Sequence, residues 1–88
     1  MNRDELVFIV YSRICCHLCE IMLTELSLWQ QEYKFRIESV DIDSDREIQK
    51  KYAARIPLLV AEDVEICEYH FDKAAFLAFI DPPAVSDS

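Results

Sequence analysis

Leu6-Val7-Phe8-Ile9-Val10-Tyr11 is an unbroken run of β-branched, aliphatic and aromatic residues. Apolar side chains fall on both alternating faces, which predicts a central strand covered by helices on each side. After a short loop from Ser12 to Cys15 the period changes. Cys19, Met22, Leu23, Leu26, Trp29 and Tyr33 recur at helical spacing, with Glu20, Glu25, Gln31 and Glu32 between them. This predicts an amphipathic helix of roughly four turns. Leu18, Ile21 and Leu28 widen its apolar face. Phe35 to Ile42 alternates as a second strand. Ser44 with Glu47 has the form of a capping box, and Ile48, Tyr52 and Ile56 follow at four-residue steps. Pro57 disfavours helical backbone at Ile56, so the second helix should end near Arg55.

Leu58 to Ala61 reads as a third strand and Glu62-Asp63 as a hairpin turn, Asp63 standing where a glycine is usual. Val64 to Tyr69 is a fourth strand, and its Glu65 and Glu68 suit an edge that must not pair with other chains. Asp72 can cap a last helix carrying Phe76, Leu77, Phe79 and Ile80. Asp81-Pro82-Pro83 ends it, and Ala84 to Ser88 should fray. The order is β-α-β-α-β-β-α. Both helical crossovers are expected to be right-handed with parallel strands, and the last pair to be an antiparallel hairpin. The expectation is an α/β domain with a four-stranded mixed sheet and helices on both faces. It spans residues 1–88, with its core at about 5–80 and a tail at 82–88.

Composition narrows the function. Nine basic residues against seventeen acidic ones leave a net charge of −8, which opposes binding to nucleic-acid phosphates and to anionic membrane surfaces. No apolar run approaches the ~18 residues of a membrane span. Met1-Asn2-Arg3-Asp4-Glu5 lacks the pattern of a secretory leader, so a cytoplasmic protein is expected. The chain has no glycine at all. Phosphate cradles built on glycine, in both the dinucleotide fingerprint and the P-loop, are therefore excluded.

Three of the four cysteines, Cys15, Cys16 and Cys19, lie within five residues, while Cys67 stands apart. Structural staples join distant segments, so this cluster points to chemistry instead. Cys16-His17-Leu18-Cys19 is a C-x-x-C at the junction of the first strand's loop and the first helix. Residues three apart on a helix lie roughly 5–6 Å apart at Cβ, whereas a disulfide needs about 3.5–4.5 Å. The pair can close only if its first member sits at the looser helix start, and Cys16 does. There its sulfur meets unpaired backbone N–H groups and the positive end of the helix dipole. Lowering its pKa from about 8.5 to ~7 corresponds to about 2 kcal/mol of thiolate stabilisation. Cys16 is thus the candidate nucleophile. Cys19, on the core-facing stripe, is the candidate resolving thiol. A protonated His17 would stabilise the thiolate, although an exposed imidazole accounts for it equally well. Leu18 offers an apolar contact to a substrate or simply packs. Cys15 has no assigned role, and Cys67 reads as a packed thiol.

With these residues in view, the chain resembles the thioredoxin superfamily and, within it, small glutaredoxin-like proteins. The resemblance covers about residues 5 to 80. It rests on the element order, on Tyr11-Ser12-Arg13 leading into the C-x-x-C, and on Arg55-Ile56-Pro57 before the third strand. It implies that Pro57 is cis and faces the active-site sulfurs, with the backbone of Ile56 pairing with substrate. It also implies that Arg13 binds a glutathione carboxylate. The family's Gly-Gly pair before the last helix is replaced here by Glu68-Tyr69-His70-Phe71-Asp72, where Asp72 and the amides at the helix start could still meet glutathione. The dipeptide between the cysteines is His-Leu and not Pro-Tyr.

The expected activity is thiol–disulfide exchange on protein or glutathione-mixed disulfides by a monomer. No bound cofactor is expected, and glutathione would serve as reductant or co-substrate. Two other classes stay open. One is a metal or iron–sulfur site, although adjacent ligands on one turn surround zinc poorly and no second C-x-x-C completes a set. The other is a non-catalytic interaction module on the same fold.

Overall fold

The computed structural model describes residues 6–82. β1 (Val7–Ser12) pairs in parallel with β2 (Arg36–Asp41) and antiparallel with β3 (Leu58–Ala61). β4 (Val64–Glu68) completes the sheet against β3, giving the order β2-β1-β3-β4. The helices are α1 (His17–Leu28), α2 (Arg46–Tyr52) and α3 (Lys73–Ile80). The predicted order and the mixed sheet are both present. Ala84 to Ser88, expected to fray, lies outside the described residues.

One strand direction is corrected. β3 was expected to be parallel, and it runs against β1. The seven residues of α2 rise only about 10 Å at ~1.5 Å each. A six-residue strand such as β2 covers about 20 Å. The short helix is broken at each end by a 3₁₀ turn, Ile42–Ser44 before it and Ala53–Arg55 after it. It does not carry the chain back along the sheet, so β3 starts at the end where β1 and β2 finish.

The alternation in β1 sorts the two faces. Phe8 and Val10 are buried with Met22 and Leu26 of α1 and Phe76 of α3. Val7, Ile9 and Tyr11 are only half-buried on the other face, where the Tyr11 ring stacks on Tyr52 at 4.3 Å between centroids. Phe76 is the hub of the main core. Its ring lies 5.3 Å from that of Phe8, 5.4 Å from Phe71 and 5.5 Å from Trp29, in tilted arrangements that suit aromatic quadrupoles. The buried hydroxyl of Ser12 is satisfied by that of Ser39 at 3.1 Å.

Turn chemistry proceeds without glycine. Glu62 and Asp63 both take positive φ, 51° and 66°, which is the twist a two-residue hairpin requires. The capping box shifts by one residue. Ser44 donates its hydroxyl to the Asp41 carbonyl at 2.6 Å and belongs to the preceding 3₁₀ turn. Asp45 therefore caps α2, accepting from the Glu47 and Ile48 amides. Asp72 caps α3, as its position suggested, by accepting the Ala75 N–H at 3.0 Å. Among the described residues, no helix is long and apolar enough to cross a membrane.

Candidate active site

The loop after β1 delivers Cys16 to the mouth of α1. Cys15 adopts φ +64°, turning the chain so that Cys16, with extended backbone, becomes the N-cap residue. Its carbonyl accepts the Glu20 N–H at 3.1 Å. Its Sγ accepts the Cys19 N–H at 3.2 Å. A cysteine at this position thus does what serine or aspartate does at other helix starts. The acceptor is the same sulfur that would carry negative charge when reduced, so the amide and the helix dipole favour its thiolate.

Cys16 and Cys19 are joined as a disulfide with their Cα atoms 5.2 Å apart, inside the usual range for such bonds. The two sulfurs are not equivalent. Cys19 is 2% exposed and packs in the core, whereas Cys16 is half-buried and reachable. His17 and Leu18, between them, are exposed, as are Ile14 and Ile21. Glu20 lies in the first turn of α1, where its charge opposes a thiolate.

Ile56 and Pro57 enter at the same end of the sheet. Leu58 is paired with Tyr11, which brings the residues before β3 level with those after Tyr11. The Ile56–Pro57 peptide is cis and Pro57 is buried. This segment is tied down from behind. The Tyr69 N–H donates to the Pro57 carbonyl at 2.8 Å, and the Tyr69 hydroxyl donates to the Ala54 carbonyl at 2.6 Å. Arg55 gives its Nε to Glu68 and both terminal nitrogens to Glu65. The guanidinium holds the Glu65 carboxyl below the usual carboxylate range. The sequence pattern had offered Glu65 and Glu68 only as guards of an edge strand. Their pairing with Arg55 crosses from the end of α2 to β4 and has no periodic signature.

The two residues nominated for glutathione already have partners. Arg13 donates from Nε and Nη2 to the Asp43 carboxylate at 2.9 and 3.1 Å, and Gln49 adds a third bond to that carboxylate at 2.7 Å. The Arg13 and Gln49 bonds keep the Asp43 carboxyl below its ordinary range. The Arg13 fork therefore grips a carboxylate of its own chain. One oxygen of the Asp72 carboxylate caps α3, and the Asp72 amide donates toward the Cys67 sulfur at 3.5 Å. Burial pushes the Cys67 thiol up from its ordinary pKa. Cys15 is a free, exposed thiol. Among the described residues, no group of three or more His, Cys, Asp or Glu side chains has a metal-holding arrangement.

Residues 7–81 match the family model described as Glutaredoxin-like domain (DUF836). The chain belongs to this glutaredoxin-like family. A solution structure of protein Ne2328 from Nitrosomonas europaea is 35% identical, with a TM-score of 0.80 over 86% of this chain and 92% of that one. Protein XcR50 from X. campestris is 28% identical, with a TM-score of 0.64 over 88% of this chain and 99% of that one. The germline-specific thioredoxin Deadhead from Drosophila melanogaster shares the fold, with a TM-score of 0.55 at 17% identity over 86% of this chain and 78% of that one. No curated protein matches the chain significantly. A glutaredoxin-like domain carrying a Cys16–Cys19 pair at disulfide distance is consistent with redox activity.

Proposed function

We propose that this glutaredoxin-like protein is a thiol–disulfide oxidoreductase in which Cys16 is the nucleophile and Cys19 the resolving thiol. One observation carries the reading. The reachable sulfur sits at a helix mouth, accepts an amide N–H, and is bonded to a buried partner sulfur.

The Cys16 thiolate attacks one sulfur of a substrate disulfide. That S–S bond breaks, a mixed disulfide forms, and the other substrate sulfur leaves as a thiolate that takes a proton from solvent. Cys19 then loses its proton and attacks the Cys16 sulfur, which expels the second substrate thiol. The substrate gains two electrons and the Cys16–Cys19 dithiol loses them. A thiol reductant such as glutathione restores it in a reducing, cytoplasmic compartment. Ile56, held by its tethered neighbours, offers backbone for the substrate to pair with, and Leu18 offers an apolar contact beside the sulfur.

Single substitutions test this. Cys16→Ser should reduce disulfide turnover to background. Cys19→Ser should accumulate a mixed disulfide on Cys16, visible as a substrate-sized mass increase that a reductant reverses. Full turnover by Cys16→Ser would overturn the assignment, as would an oxidised–reduced titration in glutathione buffer that finds no Cys16–Cys19 couple.

A further inference from the structure

The surroundings of Cys16 speak to which disulfide it takes. Three large apolar side chains on the loop and helix that carry it face solvent: Ile14 is 76% exposed, Leu18 38% and Ile21 40%. Leu18 and Ile21, three residues apart on α1, are neighbours on its surface. Beside them runs a shallow groove of about 260 Å³ lined by His17, Glu20, Ile21, Thr24 and Glu25. Two carboxylates therefore stand along the path of any chain that lies on this helix. From residue 6 to residue 33 only Arg13 and His17 can carry positive charge, and the Arg13 fork is closed on Asp43.

Glutathione carries two carboxylates and one ammonium group. It would meet acidic side chains in the groove, an exposed arginine paired with Asp43, and an Asp72 with one oxygen capping α3. We infer that the preferred substrate is a polypeptide disulfide whose reactive cysteine is flanked by apolar and basic side chains. Ile14, Leu18 and Ile21 seat the apolar residues, and Glu20 and Glu25 receive lysine or arginine. The net charge of −8 steers such a substrate inward and glutathione away. This inference rests on the oxidoreductase reading and narrows it.

The test compares three disulfides at equal concentration with the wild-type chain and with the E20Q/E25Q double variant. They are a peptide disulfide flanked by Leu and Lys, the same peptide with Glu for Lys, and oxidised glutathione. The neutral disulfide of mercaptoethanol reports basal exchange. At low ionic strength the Lys peptide should exceed the Glu peptide in kcat/KM by about tenfold, as expected for two exposed charge pairs whose sign is reversed, and glutathione should be slowest. The gap should lie in KM, shrink in 0.5 M salt where screening acts within ~3–5 Å, and narrow in E20Q/E25Q. Ile21→Ser should raise KM for both peptides. Equal rates for the Lys and Glu peptides, or glutathione turnover matching the Lys peptide, would overturn the inference while leaving the oxidoreductase reading intact. No exchange with the mercaptoethanol disulfide would remove that reading, and the inference with it.

Discussion

Four cysteines with four environments show how much a single residue's surroundings decide. Cys16 is reachable and amide-bonded, Cys19 is buried, Cys15 is exposed, and Cys67 is half-buried on β4. Burial raises the Cys67 pKa, so at any pH below that value its thiolate fraction is smaller than an ordinary thiol's. With Cys16 and Cys19 oxidised, alkylation by iodoacetamide at pH 8 should modify the exposed Cys15 faster than the half-buried Cys67, whose burial both disfavours the thiolate and shields the sulfur. Mass spectrometry of timed samples reads this directly. The same shift has a stability consequence. The folded protein holds the Cys67 proton more tightly than the unfolded chain does. Its contribution is therefore complete below the unfolded pKa and is lost as pH rises through the folded one. Asp43 has the opposite sign. Arg13 and Gln49 lower its pKa, so its contribution is present above the ordinary carboxylate range and lost as acid protonates it.

At the scale of elements, the absence of glycine has a visible cost in the turns. Cys15, Glu62, Asp63 and Tyr69 all take positive φ, a region that penalises residues with a Cβ by roughly 1–2 kcal/mol. At Cys15 the turn brings Cys16 to the start of α1, and at Tyr69 it aims two hydrogen bonds at the segment before β3. The β3–β4 turn has no such task. Asp63→Gly should therefore stabilise the protein, by about 0.5–1 kcal/mol after allowing for the extra freedom of glycine in the unfolded chain. Urea denaturation checks it, with a raised midpoint and an unchanged slope.

For the whole molecule, stability depends on one apolar layer more than on two. α1 and α3 cover one face of the sheet around Phe76, whereas the other face receives only the short α2 and leaves Val7 and Ile9 half-buried. Truncating the hub should be felt globally. Phe76→Ala is expected to cost about 3–5 kcal/mol, a large part of the ~5–15 kcal/mol that holds a domain together. Thermal unfolding followed by circular dichroism would show it. A change below about 1 kcal/mol would mean that the core does not depend on that ring.

The amino-acid pattern by itself determined the elements, the buried stripe with Cys19 on it, and the place of Cys16 at the start of α1. These are local properties: side-chain period, backbone preference before proline, and spacing within one turn all act between near neighbours. Only the tertiary structure decided that β3 runs against β1, because that depends on how far a short α2 carries the chain. It also moved the α2 cap from Ser44 to Asp45, closed Arg13 on Asp43, and set Arg55 between Glu65 and Glu68. Each of these pairs is brought together by packing, and charge partners ten to thirty residues apart leave no period in a sequence to read.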